Sequence, residues 1–250
     1  MLKIIISGCS GHMGRVVESI CTADPAVQVA AGFDVLGSSD REFPVYSSPS
    51  QFTGEADAVI DFSSPAALNG LLDFAQATGT PLVLATTGYT PEQVAQIGAA
   101  AQKGPIFRSA NMSLGINVLL ELVKKAASVL GDSYDIEIVE RHHRRKVDAP
   151  SGTAKLLLEA VDPQHRLRPV YGREGNCGRR EKDEVGIHAL RGGTVAGTHT
   201  VHFFGPDEEL ELTHRAASRQ IFVNGALHIA RLLPGRPKGV YDLQKILFGA

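Results

Sequence analysis

Lys3-Ile4-Ile5-Ile6-Ser7-Gly8-Cys9-Ser10-Gly11-His12-Met13-Gly14 is the stretch that decides the fold. Residues 3–7 form a short β-branched run, which predicts a strand buried on both faces of a parallel sheet. Directly after it, Met13, Val16, Val17, Ile20 and Cys21 recur at the three-and-four spacing of one helix face. Between strand and helix lies a GxxGxxG turn. Gly8 permits the tight bend, Gly11 lets backbone approach a pyrophosphate, Gly14 lets helix close on strand, and the helix-start N–H groups face the anion. A turn without ligand is the bland alternative. Against it stands Asp34, about 20 residues past Gly14 at the end of a second strand, where the dinucleotide fingerprint places an acid on the ribose. The expected cofactor contacts here are Gly8, Cys9, Ser10, Gly11, His12, Met13 and Asp34. An acid at position 34 favours NADH, because a 2′-phosphate would meet a carboxylate. Arg15 is the nearest cation in sequence, so NADPH stays open.

Outward from this turn, strands are expected at 27–33, 58–62, 81–86 and 106–109, alternating with helices at 65–77 and from Pro91. Thr90-Pro91-Glu92-Gln93 offers an N-cap, a proline at N1 and a Gln able to close a capping box. Such alternation implies right-handed crossovers, hence an α/β fold with a Rossmann-like doubly wound parallel sheet. Ala85, Thr86 and Thr87 before Gly88, and Ser109, Ala110, Asn111 and Met112, would fall at the carboxyl edge of that sheet. There they suit either a nicotinamide ribose or plain β-to-α turns.

After Met112 the texture changes. A long apolar helix over 114–130, a strand at 135–140 and alternating segments such as Thr200-Val201-His202-Phe203 predict a second α+β domain with a mixed sheet. Residues 172–184 are polar and expected to be loop, and helices near 219–233 and 242–247 could return to the first domain.

Composition sets limits on function. The 250 residues carry 25 Lys+Arg against 27 Asp+Glu, a formal net charge of -2. That argues against sequence-independent nucleic-acid binding, which needs a basic face. The apolar start is broken by Gly8 before signal-peptide or membrane-span length, so no membrane partner is expected. Three cysteines in no metal-ligand spacing suit a reducing, cytoplasmic setting.

The second chemical signal is Glu140-Arg141-His142-His143-Arg144-Arg145-Lys146-Val147-Asp148-Ala149-Pro150-Ser151-Gly152-Thr153. It reads as a solvated basic loop or as an anion-binding catalytic pocket. The small residues Ser151, Gly152 and Thr153 at a helix start favour the pocket, because their N–H groups can receive a carboxylate. His supplies a proton donor near neutral pH, and Lys a charge and a second donor. Adjacent histidines on an extended segment point to opposite sides, and no Cys or carboxylate stands at a familiar ligand spacing, so no metal is expected.

The Glu-x-His-His-x-x-Lys-x-Asp-Ala-Pro-Ser-Gly-Thr string, together with the glycine turn, resembles the dihydrodipicolinate reductase family of lysine and diaminopimelate biosynthesis. The likeness extends over nearly the whole chain. It implies NAD(P)H-dependent reduction of a small cyclic dicarboxylate, with His142 as proton donor and Lys146 as catalytic cation. His143, Gly152 and Thr153 would hold substrate. It also implies a dinucleotide-binding domain of 1–113 and 220–250, a substrate-binding and oligomerisation domain of 114–219, and a homotetramer. Two departures stand out: Cys9 and His12 replace the family's usual Ala and Arg, and Thr198 precedes His199 where Glu is usual. Another NAD(P)-dependent dehydrogenase of a small carboxylate, or a dinucleotide sensor without catalysis, would share the first half of the chain.

Overall fold

The computed structural model describes residues 1–37, 41–109 and 111–249. In chain order the first elements are β1 (Leu2–Ser7), α1 (His12–Ala23), β2 (Val27–Phe33), β3 (Val45–Tyr46), β4 (Ala58–Asp61), α2 (Leu68–Thr78), β5 (Leu82–Leu84), α3 (Pro91–Ala100) and β6 (Pro105–Arg108). There follow α4 (Leu114–Leu130), β7 (Asp135–His142), α5 (Gly152–Val161), β8 (Arg168–Val170), β9 (Glu184–Arg191), β10 (Gly197–Gly205) and β11 (Glu208–Ala216). The chain closes with α6 (Gln220–Leu232), β12 (Gly239–Tyr241) and α7 (Leu243–Phe248).

Two compact units result, one of Met1–Met112 with Phe222–Ala250 and the other of Ser113–Ile221. The first is built on a seven-stranded sheet in the order β12-β6-β5-β4-β1-β2-β3. Every pairing in it is parallel. Ile4, Ile5, Ile6, Val59, Ile60, Leu82, Val83 and Leu84 are all fully buried. That explains the unbroken apolar runs, since a strand covered on both faces has no solvent side for a polar residue. The order reverses between β1 and β4, and this is where a doubly wound sheet opens its crevice at the carboxyl ends of the strands. The Thr90–Gln93 capping box forms as expected. The helix expected over 65–77 starts instead with a 3₁₀ turn at Pro65–Ala67 before α2 proper. Two short strands, β3 and β12, widen the sheet at its two edges.

The second unit has a five-stranded mixed sheet, β11-β10-β7-β9-β8. β7 runs parallel to β9 and antiparallel to β10. One face carries Ile136, Ile138, Val185, Ile187, Val201 and Phe203, which form one core with Ile116, Leu119 and Val123 of α4 and Ala154, Leu157 and Val161 of α5. The period-2 alternation leaves Glu137 on the opposite face. There Arg173 grips both its oxygens and His188 bonds it at 2.7 Å. Burial tends to raise the Glu137 carboxyl, but the bonds from Arg173, His188 and Arg180 outweigh it and bring it down to about 2. Those two arginines tie the polar segment after β8 to the sheet. Among the described residues no helix is long and apolar enough to cross a membrane.

Candidate active site

In the first unit the glycine turn stands between β1 and α1, with Gly8 at φ +77°. A Cβ there would lie 2.7 Å from Ser63 Cα. One on Gly14 would strike the Gly8 carbonyl oxygen and come within 2.6 Å of Cys9 Cα. Both positions therefore need glycine, the first for its backbone angle and both for close approach. Gly11 caps α1 without any side-chain bond, so the first-turn N–H groups keep their polarity for an outside acceptor. Asp34 reaches back to the turn. One carboxylate oxygen accepts the Ser10 N–H at 2.9 Å and the other the Leu36 N–H at 3.1 Å.

Ser10 Oγ is buried with no hydrogen-bond partner among the described residues. An orphan hydroxyl beside uncapped N–H groups fits an anionic ligand such as a pyrophosphate. The Cys9 side chain is fully buried and faces β2, where a Cβ on Gly32 would lie 2.6 Å from its sulfur. Burial raises its thiol, with Arg41 opposing. The Cys9 side chain is thus part of the packing beneath the turn. His12 is exposed. Arg15 donates to the Ser10 carbonyl at 3.2 Å. Arg41, which the sequence reading passed over, donates to the Cys9 carbonyl at 3.0 Å while ion-paired with Glu18.

The other expected cofactor residues follow the carboxyl ends of neighbouring strands. Ala85 N–H donates to the Asp61 carbonyl at 2.9 Å, and Thr86 is buried beside exposed Thr87. Ser109 Oγ donates to the Asn111 carbonyl at 2.9 Å, and Met112 is buried. Ala110 lies outside the described residues. A further group emerges at the same edge. The fully buried Asp61 accepts Ser63 Oγ at 2.5 Å and the Tyr89 hydroxyl at 3.3 Å. Burial and Asp61 push the Tyr89 phenol up, so that it stays a donor.

In the second unit, β7 ends with His142 buried and His143 half-buried. Glu140, two residues earlier on the same face, is fully buried. Its Oε2 lies 2.6 Å from His142 Nδ1. Arg191 at the end of β9 grips both oxygens, at 2.7 and 2.8 Å, and the Ser151 N–H donates to Oε1 at 2.9 Å. Burial tends to raise the Glu140 carboxyl, but the bonds from Arg191, His142 and Ser151 outweigh it, and it stays ionised below the ordinary range. The His142 ring meets the edge of His199 from β10, ring centres 5.0 Å apart. His199 Nε2 lies 3.1 Å from Ser151 Oγ. Burial first, then the charge of His142, lowers His199 to about 4, so it is neutral at pH 7.

Ser151 also caps α5, its Oγ accepting the Ala154 N–H at 3.2 Å. The exposed Gly152 and half-buried Thr153 follow as the first helical residues. Lys146 sits in the connecting loop, paired with Asp148 at 2.8 Å. Arg191 ties that loop down through the Asp148 carbonyl at 2.7 Å. His143 Nε2 lies 3.3 Å from Arg219 Nη2. Desolvation and the charges of Arg219 and Arg145 lower its ring below the ordinary value, so it too is neutral.

The structure thus joins His142 through Glu140 and Arg191 to the Lys146 loop and the start of α5. Arg191 lay too far along the chain to be singled out, and His199 was met in the sequence only as the neighbour of Thr198, with no role given to it. Glu140 could have been found, because residues i and i+2 of a strand share a face. The chemistry available is a histidine fixed at Nδ1 by a carboxylate, beside a lysine and a helix start suited to carboxylates.

Two family models match the chain: "Dihydrodipicolinate reductase, N-terminus" over residues 2–112 and "Dihydrodipicolinate reductase, C-terminus" over 115–247. A 4-hydroxy-tetrahydrodipicolinate reductase of Caldanaerobacter subterraneus subsp. tengcongensis is 46% identical over 250 residues, covering 99% of this chain and 98% of that one. The protein of that name from Clostridium tetani is 41% identical, covering 99% and 97%. In shape, the chain resembles a dipicolinate-bound dihydrodipicolinate reductase from Paenisporosarcina sp. TG-14, with a TM-score of 0.81, 21% identity and coverage of 99% and 100%. It also resembles an amine dehydrogenase from Mycobacterium smegmatis, with a TM-score of 0.65, 10% identity and coverage of 98% and 96%. A shape common to differently named enzymes gives the fold alone. Identity above 40% along the whole length discriminates where shape does not, and by that measure the chain belongs to the dihydrodipicolinate reductase family.

Proposed function

We propose that this chain reduces 4-hydroxy-tetrahydrodipicolinate to tetrahydrodipicolinate in lysine and diaminopimelate biosynthesis, using NADH or NADPH. The observation that carries the reading is the 2.6 Å bond between Glu140 and His142 Nδ1, which leaves Nε2 as the nitrogen that gives up a proton. The nicotinamide, when bound, supplies the hydride. The glycine turn, with Gly8 to Met13 and Asp34, holds the dinucleotide. Ala85, Thr86, Thr87, Ser109, Ala110, Asn111 and Met112 serve its nicotinamide end. Loss of the 4-hydroxyl as water leaves a ring C=C conjugated with the imine; hydride addition to it builds negative charge toward nitrogen, and His142 Nε2–H supplies the proton that discharges it. Lys146 offsets substrate charge and engages a carboxylate. Gly152 and Thr153 offer helix-start N–H groups to a second carboxylate, and neutral His143 donates a hydrogen bond.

The proposed domain roles follow from this assignment. Residues 1–113 and 220–250 bind the dinucleotide, and 114–219 bind substrate and assemble a homotetramer through the sheet face that exposes Leu190 and Phe204. The free thiols of Cys9, Cys21 and Cys177 accord with a cytoplasmic location.

The test follows NADH and NADPH oxidation by the parent, with substrate formed in situ from pyruvate and aspartate semialdehyde by the preceding synthase. Turnover is expected, and Lys146→Ala should raise KM and cut kcat/KM about 10- to 100-fold, the worth of one charge-assisted bond. Folded protein that binds NADH but oxidises neither cofactor sinks the reading and leaves another dehydrogenase or a sensor.

A further inference from the structure

We propose that Glu140, braced by Arg191, is the positioning residue of the reaction, fixing the tautomer of His142 and joining its ring to the start of α5. The inference rests on the reductase reading above and deepens it.

Of the groups expected to meet substrate, His142 is the one that Glu140 is shown to bond. The two Glu140 oxygens receive the His142 ring, the Ser151 backbone and the two terminal guanidinium nitrogens of Arg191. Each bond has a separate consequence. The one to Nδ1 keeps the proton there, so that after Nε2–H is spent the neutral ring retains a single tautomer. The one to Ser151 N–H anchors the residue just before Gly152, so the ring and the helix start share one carboxylate. Arg191 keeps a fully buried carboxylate charged and, through the Asp148 carbonyl, holds the loop that carries Lys146.

A carboxylate that served only as an ion-pair partner for Arg191 would not need to meet the ring. The charged and titratable groups that surround His142 are Glu140 from its own strand, Arg191 from β9, His199 from β10, and His143 and Lys146 from the loop. Glu140 is the anion among them that bonds the imidazole.

The experiment measures kcat and kcat/KM against pH for full-length parent, Glu140→Gln and Arg191→Gln, with NADH affinity by fluorescence as a control. In Glu140→Gln, kcat should fall about 10²-fold, within the range a positioned general acid contributes. Its alkaline limb should move to lower pH, because the imidazolium has lost its anion. In Arg191→Gln that limb should move to higher pH, because the anion is no longer shared. NADH affinity should stay within twofold in both. A Glu140→Gln enzyme with kcat within twofold of the parent and an unmoved limb overturns the proposal, as do limbs that move the same way in the two variants.

Nitrogen-15 NMR of the histidines in the parent gives an answer even if neither variant folds. Nδ1–H should persist for His142 across its titration, and a neutral ring protonated mainly at Nε2 refutes the assignment. A parent without turnover would fail the reductase reading while this spectrum still reported on the pairing, so the two failures are distinguishable.

Discussion

The glycine turn of the first unit, proposed to hold the dinucleotide, and the carboxylate centre of the second, proposed to serve the substrate, are built from different materials. The turn is one contiguous stretch, Gly8 to Gly14, whose useful atoms are backbone N–H groups. Its side chains are free to vary where they point away, as Cys9 does into β2. The centre of the second unit is made of side chains. Glu140, His142, Ser151, Arg191 and His199 come from β7, the cap of α5, β9 and β10, and each is held by another. A backbone site depends on what its residues lack, namely a Cβ. A side-chain site depends on a fixed set of functional groups, so one replacement propagates.

The largest effect expected from that contrast is at His142. His142→Ala should lower kcat about 10²- to 10⁴-fold, the range for a general acid, while NADH affinity measured by fluorescence stays within twofold. Comparable loss of NADH binding would show that the two sites are not separable.

Next comes the pH dependence of stability. The unfolded His199 takes up a proton near pH 6.5, whereas the folded one remains neutral down to about 4. Stability is therefore present above pH 6.5 and lost as pH falls to about 4, by about 3 kcal/mol in all. Urea unfolding at pH 7 and pH 4.5 should show this loss in the parent and a smaller one in His199→Phe; equal losses would mean that the ring is not buried neutral.

Gly14→Ala tests the other kind of site. The added methyl must displace the Gly8 carbonyl or the Cys9 backbone, which should cost about 1–3 kcal/mol. A drop in melting temperature with loss of NADH binding is expected, and unchanged binding would remove the close-packing argument. The smallest change is expected for Asp34→Ala. NADH affinity should weaken about tenfold and the ratio of NADH to NADPH affinity should narrow. Parallel weakening of both cofactors would assign Asp34 to bracing Ser10 rather than to reading the ribose.

The contrast also explains what was legible in the amino-acid sequence. A site made of contiguous backbone is written out in order, so the turn, Asp34 and the sheet they imply could be placed from spacing alone. The run from His142 to Thr153 was visible for the same reason. Arg191 stands 51 residues from Glu140 and His199 48 from Ser151, and only the strand order β10-β7-β9 brings them together. The missed strands are of a similar kind. β8 holds Pro169 at a sheet edge, where a missing donor is tolerated, and β3 and β12 are two and three residues long. None has room for a periodic pattern.

The edge strand β12 has a consequence for the order of synthesis. It joins β6 in parallel, Gly239 opposite Pro105, although the whole second unit is translated between the two. At about 5–20 residues per second, a ribosome leaves the β6 edge uncovered for on the order of ten seconds while the second unit emerges and can fold by itself. The first unit to begin is thus the last to be completed. A nascent chain stopped before Gly239 presents an open sheet edge to whatever chaperone or neighbouring chain meets it first.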